Sequence, residues 1–557
     1  MNGNPSPPGS LWPLPKFWTK SSSIVSISAK ESFSYKTTVN DCEVLNRALK
    51  RYSWEFLFRN LSVTPGNHLP ILSTVEVEIS NGSENQCDAY PQLVKDLEYE
   101  AYNLTISKDA TEGRARIVAK TVWGAIRGLE TFSQLIWTNG ESNQHFVNET
   151  VITDYPRFPH RGLMIDSARH FLPVSIIEQV LEAMSYNKMN VLHWHIVDDQ
   201  SFPFVSATFP ELSKKGAYLP ELIYEPSDVK HLIDFARDRG IRVVLEFDTP
   251  GHTQGFGKAF PNLITPCFGD GVSPGTANYP IHAAYEIFNP MDENTYTFMT
   301  EFLTEIVKNV SKDQYVHLGM DEVYYACWQS SPVIAEFMRN NSFTEMKEVQ
   351  QYYTERVLEN IKNIGGHPII WHDPIEFGVV PDKDVIVQVW KGNDTDPWEP
   401  YMERVLKGGY QVLLSSCWYL NYINYGESWK KYYECDPILP NITIEEANLV
   451  LGGEAALWAE YVDATNILPR LFPFVGAVAE RLWSPANSST TADAKHRLDE
   501  HRCRLLWRGV PAQPIYNGYC HMTEKYGILP RVEYSYGNTI SVTFLLLFMA
   551  SAVAIIH

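Results

Sequence analysis

YVHLGMDE, residues 315–322, carries the strongest indication of how this chain folds. Its first six residues are apolar and β-branched enough for a buried strand, and the strand stops at the adjacent acids Asp321 and Glu322. Removing acidic side chains from water at the end of a buried strand costs free energy, so acids found there usually have a functional role. Where the backbone turns after a strand, both side chains can reach one cleft. The competing interpretation is a helix start, with Asp321 as N-cap and Glu322 in the first turn.

Similar apolar runs recur from residue 161 onward, separated by longer stretches with helical spacing. The eight runs lie at residues 162–165, 190–195, 242–247, 315–320, 368–371, 385–390, 411–415 and 449–453. Eight strands alternating with helices over roughly 350 residues are the number and length expected of a (β/α)8 barrel. The predicted fold class is therefore α/β, with a TIM barrel as the catalytic domain.

The segments outside the barrel have different patterns. Residues 74–79 and 104–107 alternate as strands do, and residues 122–136 have the apolar spacing of a helix. We predict three parts: a small N-terminal α+β domain, the barrel, and a C-terminal linker with a hydrophobic tail, at residues 1–155, 156–525 and 526–557.

The two ends of the sequence bear on its compartment. Residues 1–20 are polar, contain five prolines and have no apolar core, so they do not form a signal peptide. Either the natural start lies upstream, which we expect, or the chain is cytosolic. Residues 540–556, ISVTFLLLFMASAVAII, carry no charge. This tail predicts membrane attachment, either as a marginal bilayer span or as a GPI-attachment signal. A buried C-terminal helix is the alternative.

Composition restricts the classes of function. The net charge is −20 and no basic cluster stands out, which argues against nucleic acid as a partner. Eight cysteines without a C-x-x-C pair and nine N-x-[ST] sequons favour disulfides and the secretory pathway. The content of 15 Trp and 30 Tyr suits a ligand with apolar faces, such as a sugar.

The loops after the strands of a (β/α)8 barrel build its active site, so the polar residues just beyond the predicted strands should converge. They are Arg169, Asp198, Asp199, His252, Asp321, Glu322, Trp371, Trp390, Tyr419, Trp458 and Glu460. A pair of acids suits cleavage of a glycosidic bond, where one donates a proton and another stabilises positive charge.

Four tryptophans at or near the later strand ends predict an aromatic-walled pocket on which the C–H faces of a sugar can stack. They are Trp371, Trp390, Trp418 and Trp458. For any one of them, packing in the barrel core is the alternative.

A metal site is an alternative reading of His193 and His195, because an H-x-H at a barrel strand end can bind a divalent cation. A metallohydrolase would need further histidines at later strand ends. His372 is one candidate, and the next histidine is His496, so none lies close to the end of the sixth, seventh or eighth run. We therefore expect no metal, and inactivation by EDTA would favour the alternative.

Six longer motifs carry a resemblance to a known family. They occur in the order RGLMIDSARHFLP, NVLHWHIVDDQSFP, IRVVLEFDTPGHT, HLGMDEV, WYLNYINYG and GGEAALWAEYVDATN. Together they resemble the animal lysosomal-type β-N-acetylhexosaminidases of glycoside hydrolase family 20. The resemblance implies a small α+β domain on a catalytic barrel, removal of terminal β-linked GlcNAc or GalNAc from glycans, and no cofactor. It also implies a place in the lysosome, whereas the apolar tail favours the cell surface or another membrane-attached location, and we expect a homodimer.

The resemblance assigns residues as well as a fold. Asp321 and Glu322 fall on the catalytic pair, and the substrate-binding positions fall on Arg169, Asp198, His252, Trp371, Trp390, Tyr419, Asn421, Trp458 and Glu460. Cys417 and Cys435 have no family counterpart, whereas the family disulfides fall on Cys42–Cys87, Cys267–Cys327 and Cys503–Cys520.

The mechanism that the resemblance implies is substrate-assisted and retains the configuration at C1. Glu322 protonates the glycosidic oxygen while the substrate's own 2-acetamido carbonyl attacks C1. Asp321 accepts the acetamido N–H, and Tyr419 donates a hydrogen bond to the carbonyl oxygen. Arg169 and Glu460 bind ring hydroxyls, and Asp198 with His252 supports the acid.

Two departures from the family pattern bear on rate and specificity. The family has Gly-Gly before the acids, and this chain has Gly319-Met320, so the bulk of Met320 can shift the strand end. Met320 also leaves open a non-catalytic carbohydrate-binding surface protein as the alternative function. Members that accept negatively charged sugars carry Asn-Arg, but here Tyr422 follows Asn421, so a cation that would attract sulfate is missing.

Overall fold

The computed structural model describes residues 9–53, 63–66, 68–80, 85–138, 144–276, 287–393, 395–423, 426–520 and 524. The predicted tail at residues 540–556 lies outside this part of the chain. Within the described residues, no helix has the length and apolarity needed to cross a membrane.

The N-terminal part is a mixed α+β sheet domain, as predicted. Its strands are β1 Phe17–Ile27, β2 Ser34–Thr37, β3 Ile71–Ile79, β4 Tyr102–Lys108, β5 Glu112–Ala119, β6 Trp137–Thr138 and β7 His145–Asp154. They pair in the order β1-β3-β5-β4-β7-β6, with β2 on β3 and a further pairing of β1 with β7. The domain also carries the helices α1 Glu43–Arg51 and α2 Val122–Leu135.

Helix α2 joins the small domain to the barrel, and it is buried along its whole length. Gly124 permits the close approach to the sheet domain, because a Cβ there would lie 2.3 Å from the backbone oxygen of Ala101. On the barrel side, Arg127 donates hydrogen bonds to the backbone oxygens of Arg239 and Gly240, at 3.2 and 2.8 Å. A helix buried between two layers explains why its apolar spacing is so clear in the sequence.

The second part is a closed barrel of eight parallel strands, which confirms the predicted (β/α)8 fold. The strands are β8 His160–Asp166, β9 Val191–Val197, β10 Arg242–Thr249, β11 Tyr315–Gly319, β12 His367–Trp371, β13 Ile386–Val389, β14 Gln411–Leu414 and β15 Val450–Leu457. Each of the eight predicted runs falls on one of them. β7 ends at Asp154 and β8 begins at His160, on either side of the proposed domain limit at residue 155.

Helices surround the barrel; the last three follow β15, and the others lie between successive strands. They are α3 Val174–Tyr186, α4 Glu211–Gly216, α5 Pro226–Arg237, α6 Gln254–Ala259, α7 Glu293–Glu305, α8 Tyr325–Ser330, α9 Pro332–Asn340, α10 Met346–Asn363, α11 Asp373–Glu376, α12 Glu399–Lys407, α13 Trp429–Glu434, α14 Ile444–Ala447, α15 Ile467–Leu471, α16 Phe474–Trp483 and α17 Thr491–Trp507. A 3-10 turn at Ser416–Trp418 follows β14.

Four disulfides hold loops to the two domains. Three are the pairs that the resemblance implies, Cys42–Cys87, Cys267–Cys327 and Cys503–Cys520. The fourth joins Cys417 to Cys435, the two cysteines that the sequence leaves unassigned. Disulfides persist in oxidising compartments, so the four pairs fit the secretory pathway.

Candidate active site

The acid pair sits on a reversal of the backbone at the end of β11. Gly319, Met320 and Glu322 all adopt left-handed conformations, with φ of 67°, 76° and 49°. A Cβ at Gly319 would lie 1.6 Å from Oδ1 of Asp248, so the position accepts only glycine. The reversal buries Asp321 and leaves the Glu322 side chain 52% exposed.

This geometry decides between the two interpretations of the acids. Helix α8 begins at Tyr325 with Tyr324 as its N-cap, so Asp321 does not cap a helix and the helix-start alternative is wrong. Both acids instead face His252, whose Nε2 lies 3.9 Å from Oδ2 of Asp321 and 3.5 Å from Oε2 of Glu322. One cleft therefore holds both carboxyl groups.

Met320 lies in the barrel core directly before the acid pair. Its side chain is fully buried in the barrel core, and its backbone N–H donates to Oδ1 of Asp248 at 3.0 Å. A left-handed residue other than glycine costs on the order of 1–3 kcal/mol, so Met320 stores strain that the family glycine would not.

His252 links Glu322 to a second buried acid. Its Nδ1 lies 3.2 Å from Oδ1 of Asp198. Burial alone would lower the pKa of His252, but the carboxylates of Asp198 and Asp248 outweigh burial and raise it well above its ordinary value. His252 is therefore cationic and faces the acid pair.

Arg169 closes the other side of this cluster. Its guanidinium lies 2.8 Å from Oδ2 of Asp198, 2.9 Å from Oδ2 of Asp166 and 3.9 Å from Oε1 of Glu460. It also lies over the ring of Trp458, at 4.7 Å from the centroid. Although burial raises the pKa of Asp198, Arg169 and His252 outweigh it, and this acid stays ionised.

The two catalytic candidates have opposite pKa shifts in the substrate-free site. Burial raises the pKa of Asp321 to about 7, against the opposing charge of His252. The pKa of neighbouring Asp248 is raised well above its usual range by burial and by Asp321. The hydrogen bond from His252 lowers the pKa of Glu322. A proton in the free site is therefore held by Asp248 and Asp321 rather than by Glu322.

Aromatic side chains form the wall beside the acids. Trp390 stacks on Tyr419 with ring centroids 6.1 Å apart, and Trp371 lies 6.1 Å from Trp458. The indole N–H groups are anchored: Trp371 donates to Oε1 of Glu246 at 2.8 Å, and Trp390 donates to Oδ2 of Asp373 at 2.6 Å. Trp390 and Trp458 are partly buried and form the surface of this wall, whereas Trp371 is fully buried and packs against Trp458 from the barrel side.

Trp418 does not belong to this wall, and its grouping with the pocket is wrong. It is fully buried in the barrel's hydrophobic core, and its indole N–H donates to the backbone oxygen of Tyr432 at 3.0 Å. The 3-10 turn after β14 sends consecutive side chains in different directions, so Trp418 points into the core while Tyr419 contacts Trp390.

The segment after Tyr419 lies at the rim of the cleft. The ring of Tyr422 stacks on Tyr419 with centroids 6.2 Å apart, and this residue is 54% exposed. The backbone oxygen of Asn421 accepts a hydrogen bond from Arg470 at 2.9 Å. The Cys417–Cys435 disulfide ties the turn before Tyr419 to the end of α13.

Except for Trp418, the predicted site residues lie at or just beyond the carboxyl ends of the barrel strands. The contacts above join most of them, and Asp199 has a carboxylate oxygen within 4.8 Å of Asp198 and His252. Asn421 contacts Arg470 through its backbone oxygen and is not joined to the acids by these contacts. Sequence reasoning missed Glu246, Asp248 and Asp373. Asp248 and Glu246 lie inside β10, where they interrupt an apolar run, and Asp373 follows the predicted strand end at Trp371. An acid inside a buried strand was the signal that could have found the first two.

Three groups of acids and histidines within the described residues could hold a cation. They are His193, Glu246 and His317; Asp198, Asp199 and His252; and Asp248, His252 and Asp321. The H-x-H pair lies inside the barrel, where each ring nitrogen of His193 and His195 is 2.7–2.9 Å from a carboxylate oxygen. These nitrogens already have hydrogen-bond partners, and the absence of a metal stays a prediction.

The comparisons with known proteins agree with this geometry. The profile described as "Glycosyl hydrolase family 20, catalytic domain" matches residues 158–486, and "beta-acetyl hexosaminidase like" matches residues 11–135. The chain is 41% identical over 525 residues to beta-hexosaminidase subunit beta of Mus musculus, covering 92% of this chain and 94% of that protein. It is 43% identical over 490 residues to beta-hexosaminidase subunit alpha of the same species, covering 86% and 88%.

Solved structures share the fold. A chitobiase from Flavobacterium johnsoniae superposes with a TM-score of 0.74 at 26% identity, over 91% of this chain and 76% of that one. An exo beta-N-acetylglucosaminidase from Vibrio harveyi, in complex with N-acetylglucosamine, superposes with a TM-score of 0.76 at 21% identity, over 93% and 80%.

Proposed function

This chain belongs to glycosyl hydrolase family 20, and from that premise we propose that it cleaves terminal N-acetylhexosamine by substrate-assisted catalysis. Its similarity to beta-hexosaminidase subunits over most of its length makes it an exo-β-N-acetylhexosaminidase. The observation that carries the mechanism is the acid pair at one cleft, with Asp321 buried and Glu322 half-exposed beside a cationic His252.

The proposed steps give each group of the cleft one role. Glu322 donates a proton to the glycosidic oxygen while the 2-acetamido carbonyl attacks C1, and the bond to the leaving group breaks. Asp321 accepts the acetamido N–H and stabilises the oxazolinium-type intermediate, and Tyr419 donates to the attacking carbonyl oxygen. Ionised Glu322 then takes a proton from water as the water adds to C1, and the bond between C1 and the acetamido oxygen breaks, which restores the 2-acetamido group. Holding the internal nucleophile in place does the work that a protein carboxylate does elsewhere.

Substrate binding must also move the proton of the free site. In the free site burial raises the pKa of Asp321, whereas the hydrogen bond from His252 lowers that of Glu322. An acetamido N–H that donates to Asp321 favours its ionised form, and a sugar that covers Glu322 removes water and favours its protonated form. Substrate thereby exchanges the two protonation states, with His252 lying between the two acids.

A matched pair of substrates tests the mechanism. We expect the chromogenic β-GlcNAc glycoside to be cleaved, and the β-glucoside with a plain 2-hydroxyl to be cleaved at a negligible rate, because the hydroxyl supplies no internal nucleophile. The measurement is kcat/KM for both substrates with the same leaving group. Comparable values would overturn substrate assistance, even though the hydrolase activity would stand.

Tyr422 motivates a specificity prediction. It stacks on Tyr419 at the rim, where relatives that accept charged sugars carry an arginine. We expect a 6-sulfated GlcNAc substrate to have a much lower kcat/KM than the neutral one, and Tyr422→Arg to narrow the gap. Efficient cleavage of the sulfated sugar by the unmodified enzyme would mean that another cationic side chain binds the sulfate group, and the prediction would be wrong.

Location and assembly are further proposals. Among the described sequons, six asparagines are exposed, Asn103, Asn309, Asn340, Asn393, Asn441 and Asn487, so they are accessible for glycosylation in the secretory pathway. Asn148 is buried, and its amide bonds to Ser21 and Trp137, which makes it a poor acceptor. We propose a lysosomal or cell-surface homodimer, which the naming of the relatives as subunits supports.

The apolar run at residues 540–556 supports a membrane-attached form. We expect the full-length enzyme, expressed in animal cells behind a signal peptide, to partition into detergent, and truncation after His521 to release active enzyme into the medium. Quantitative recovery of the full-length protein in a carbonate-washed soluble fraction would refute attachment.

A further inference from the structure

The interior of the barrel holds a chain of alternating acids and histidines that leads to the acid pair. The interior chain consists of Glu454, His193, Glu246, His195, Asp198 and His252. The successive oxygen–nitrogen distances are 2.8, 2.9, 2.7, 2.9 and 3.2 Å. Apart from His252, its members are at most 1% exposed. The chain starts deep in the barrel and ends 3.5 Å from Oε2 of Glu322.

Hydrogen-bond chemistry fixes the charges along the interior chain. Both ring nitrogens of His193 face carboxylate oxygens, as do both ring nitrogens of His195. An ionised carboxylate only accepts, so each ring must donate from both nitrogens and is an imidazolium. Although burial opposes it, the neighbouring carboxylates raise the pKa of His193 to about 9 and that of His195 to about 10.

Glu246 is the branch point of the chain. Its Oε2 accepts from His193 and His195, and its Oε1 accepts from the indole N–H of Trp371 at 2.8 Å. Oε1 also lies 3.1 Å from Nδ1 of His317, the ring nitrogen that accepts the backbone N–H of Gly319 beside the acids. One fully buried carboxylate thus contacts the pocket wall, the strand that carries the acids, and the chain to His252.

We infer that Glu246 is a positioning residue of the reaction, which orients His195, Asp198 and His252 toward the acid pair and fixes Trp371 in the pocket wall. The inference rests on the proposed function, and it assigns a role to a group that does not touch the reacting atoms. A misaligned proton donor slows the chemical step more than it weakens ground-state binding, so the effect falls on kcat.

Glu246→Gln is the informative change because it keeps the shape and breaks the pattern of donors. If the amide oxygen faces His193 and His195, the amide NH2 opposes the indole N–H of Trp371. If the oxygen faces Trp371, the NH2 opposes two imidazolium N–H groups. Either orientation leaves donors facing donors in a buried site, so the chain must rearrange.

The matched control is Glu480→Gln. Glu480 is also buried, and its carboxylate accepts from Arg497 and Tyr433 outside the interior chain. We expect Glu246→Gln to lower kcat about 10- to 100-fold with KM changed less than about threefold, while Glu480→Gln keeps kcat at equal folded fraction. Affinity for an oxazoline-mimicking thiazoline inhibitor should fall in parallel with kcat/KM, while affinity for the GlcNAc product changes little.

The outcomes separate this inference from the proposed function. If the unmodified enzyme cleaves the GlcNAc glycoside and Glu322→Gln does not, but folded Glu246→Gln keeps more than half of kcat, only the inference fails. Equal losses in Glu246→Gln and Glu480→Gln would also overturn it, because they would indicate a general structural role. If Glu246→Gln does not fold, His195→Gln breaks the same chain while leaving the partner of Trp371 in place. A folded His195→Gln that retains kcat would refute the inference.

Discussion

Glu322→Gln is expected to abolish turnover of GlcNAc glycosides while inhibitor binding persists. The amide keeps the size of the side chain and cannot donate the proton that the leaving oxygen needs, so only proton transfer is lost. General acid–base catalysis of this kind contributes about 10²–10⁴-fold. The measurement is kcat for the purified variant alongside the dissociation constant of a thiazoline inhibitor. Retention of more than about half of the original kcat would show that Glu322 is not the acid.

The leaving group sharpens this experiment. A strongly acidic phenol leaves without protonation, so the first step of Glu322→Gln should recover with such a substrate and not with a sugar leaving group.

The pH profile of Glu322→Gln should also differ from that of the unmodified enzyme. The hydrogen bond from His252 lowers the pKa of Glu322, so its acid form is lost as pH rises and the unmodified enzyme is expected to work best at acidic pH. That decline in kcat/KM should be absent from the residual activity of Glu322→Gln.

The barrel could be predicted because its strands are buried on both faces. Parallel strands covered by helices read as near-continuous apolar runs, and each run ends where the chain meets solvent at the active-site face. The polar residues that follow therefore mark one edge of the barrel. Strand limits were less certain, since β8 runs from His160 to Asp166 rather than over residues 162–165, and β15 extends to Leu457.

The interior polar residues give a weaker signal, because an acid or a histidine within an apolar run marks an unusual position but does not show which group it pairs with. His193 and Glu246 occur within apolar runs, and alternation along a strand does not tell a filled hydrophobic interior from one that carries paired charges. Their role depends on hydrogen-bond partners that are at least 51 residues away in the sequence. The pairing of Asp248 with Asp321 could not be predicted for the same reason, since only the fold brings the two side chains together.

The sequence also did not predict the directions of side chains in a turn or the pairing of two cysteines. Trp418 and Tyr419 are adjacent, yet one enters the core and the other the pocket, because the 3-10 turn after β14 sets their directions. Spacing does not determine disulfide connectivity, so Cys417 and Cys435 stayed unassigned until the fold brought them together.

Asp321→Asn is expected to lower kcat by about 10²–10³-fold, a loss typical of removing one preorganised electrostatic partner of a transition state. Asn keeps an oxygen that can accept the acetamido N–H, but it lacks the charge that stabilises the oxazolinium-type intermediate. An acidic leaving group should not rescue this variant, because attack by the acetamido carbonyl is impaired rather than proton donation. The opposite response of Glu322→Gln to the same substrate then separates the two roles.

The substrate without an acetamido group supplies the decisive control for Asp321. If Asp321 acts on the acetamido group, Asp321→Asn should lose most of its activity on the GlcNAc glycoside. Its activity on the glucoside is already negligible and should change little. The preference, measured as the ratio of the two kcat/KM values, should therefore become smaller. Asp436→Asn, which removes a carboxylate paired with Arg157 and Arg481, controls for the loss of one ionised acid and should keep the preference unchanged. A folded Asp321→Asn that retains the full preference for GlcNAc would mean that the buried acid serves only to hold the strand end in place.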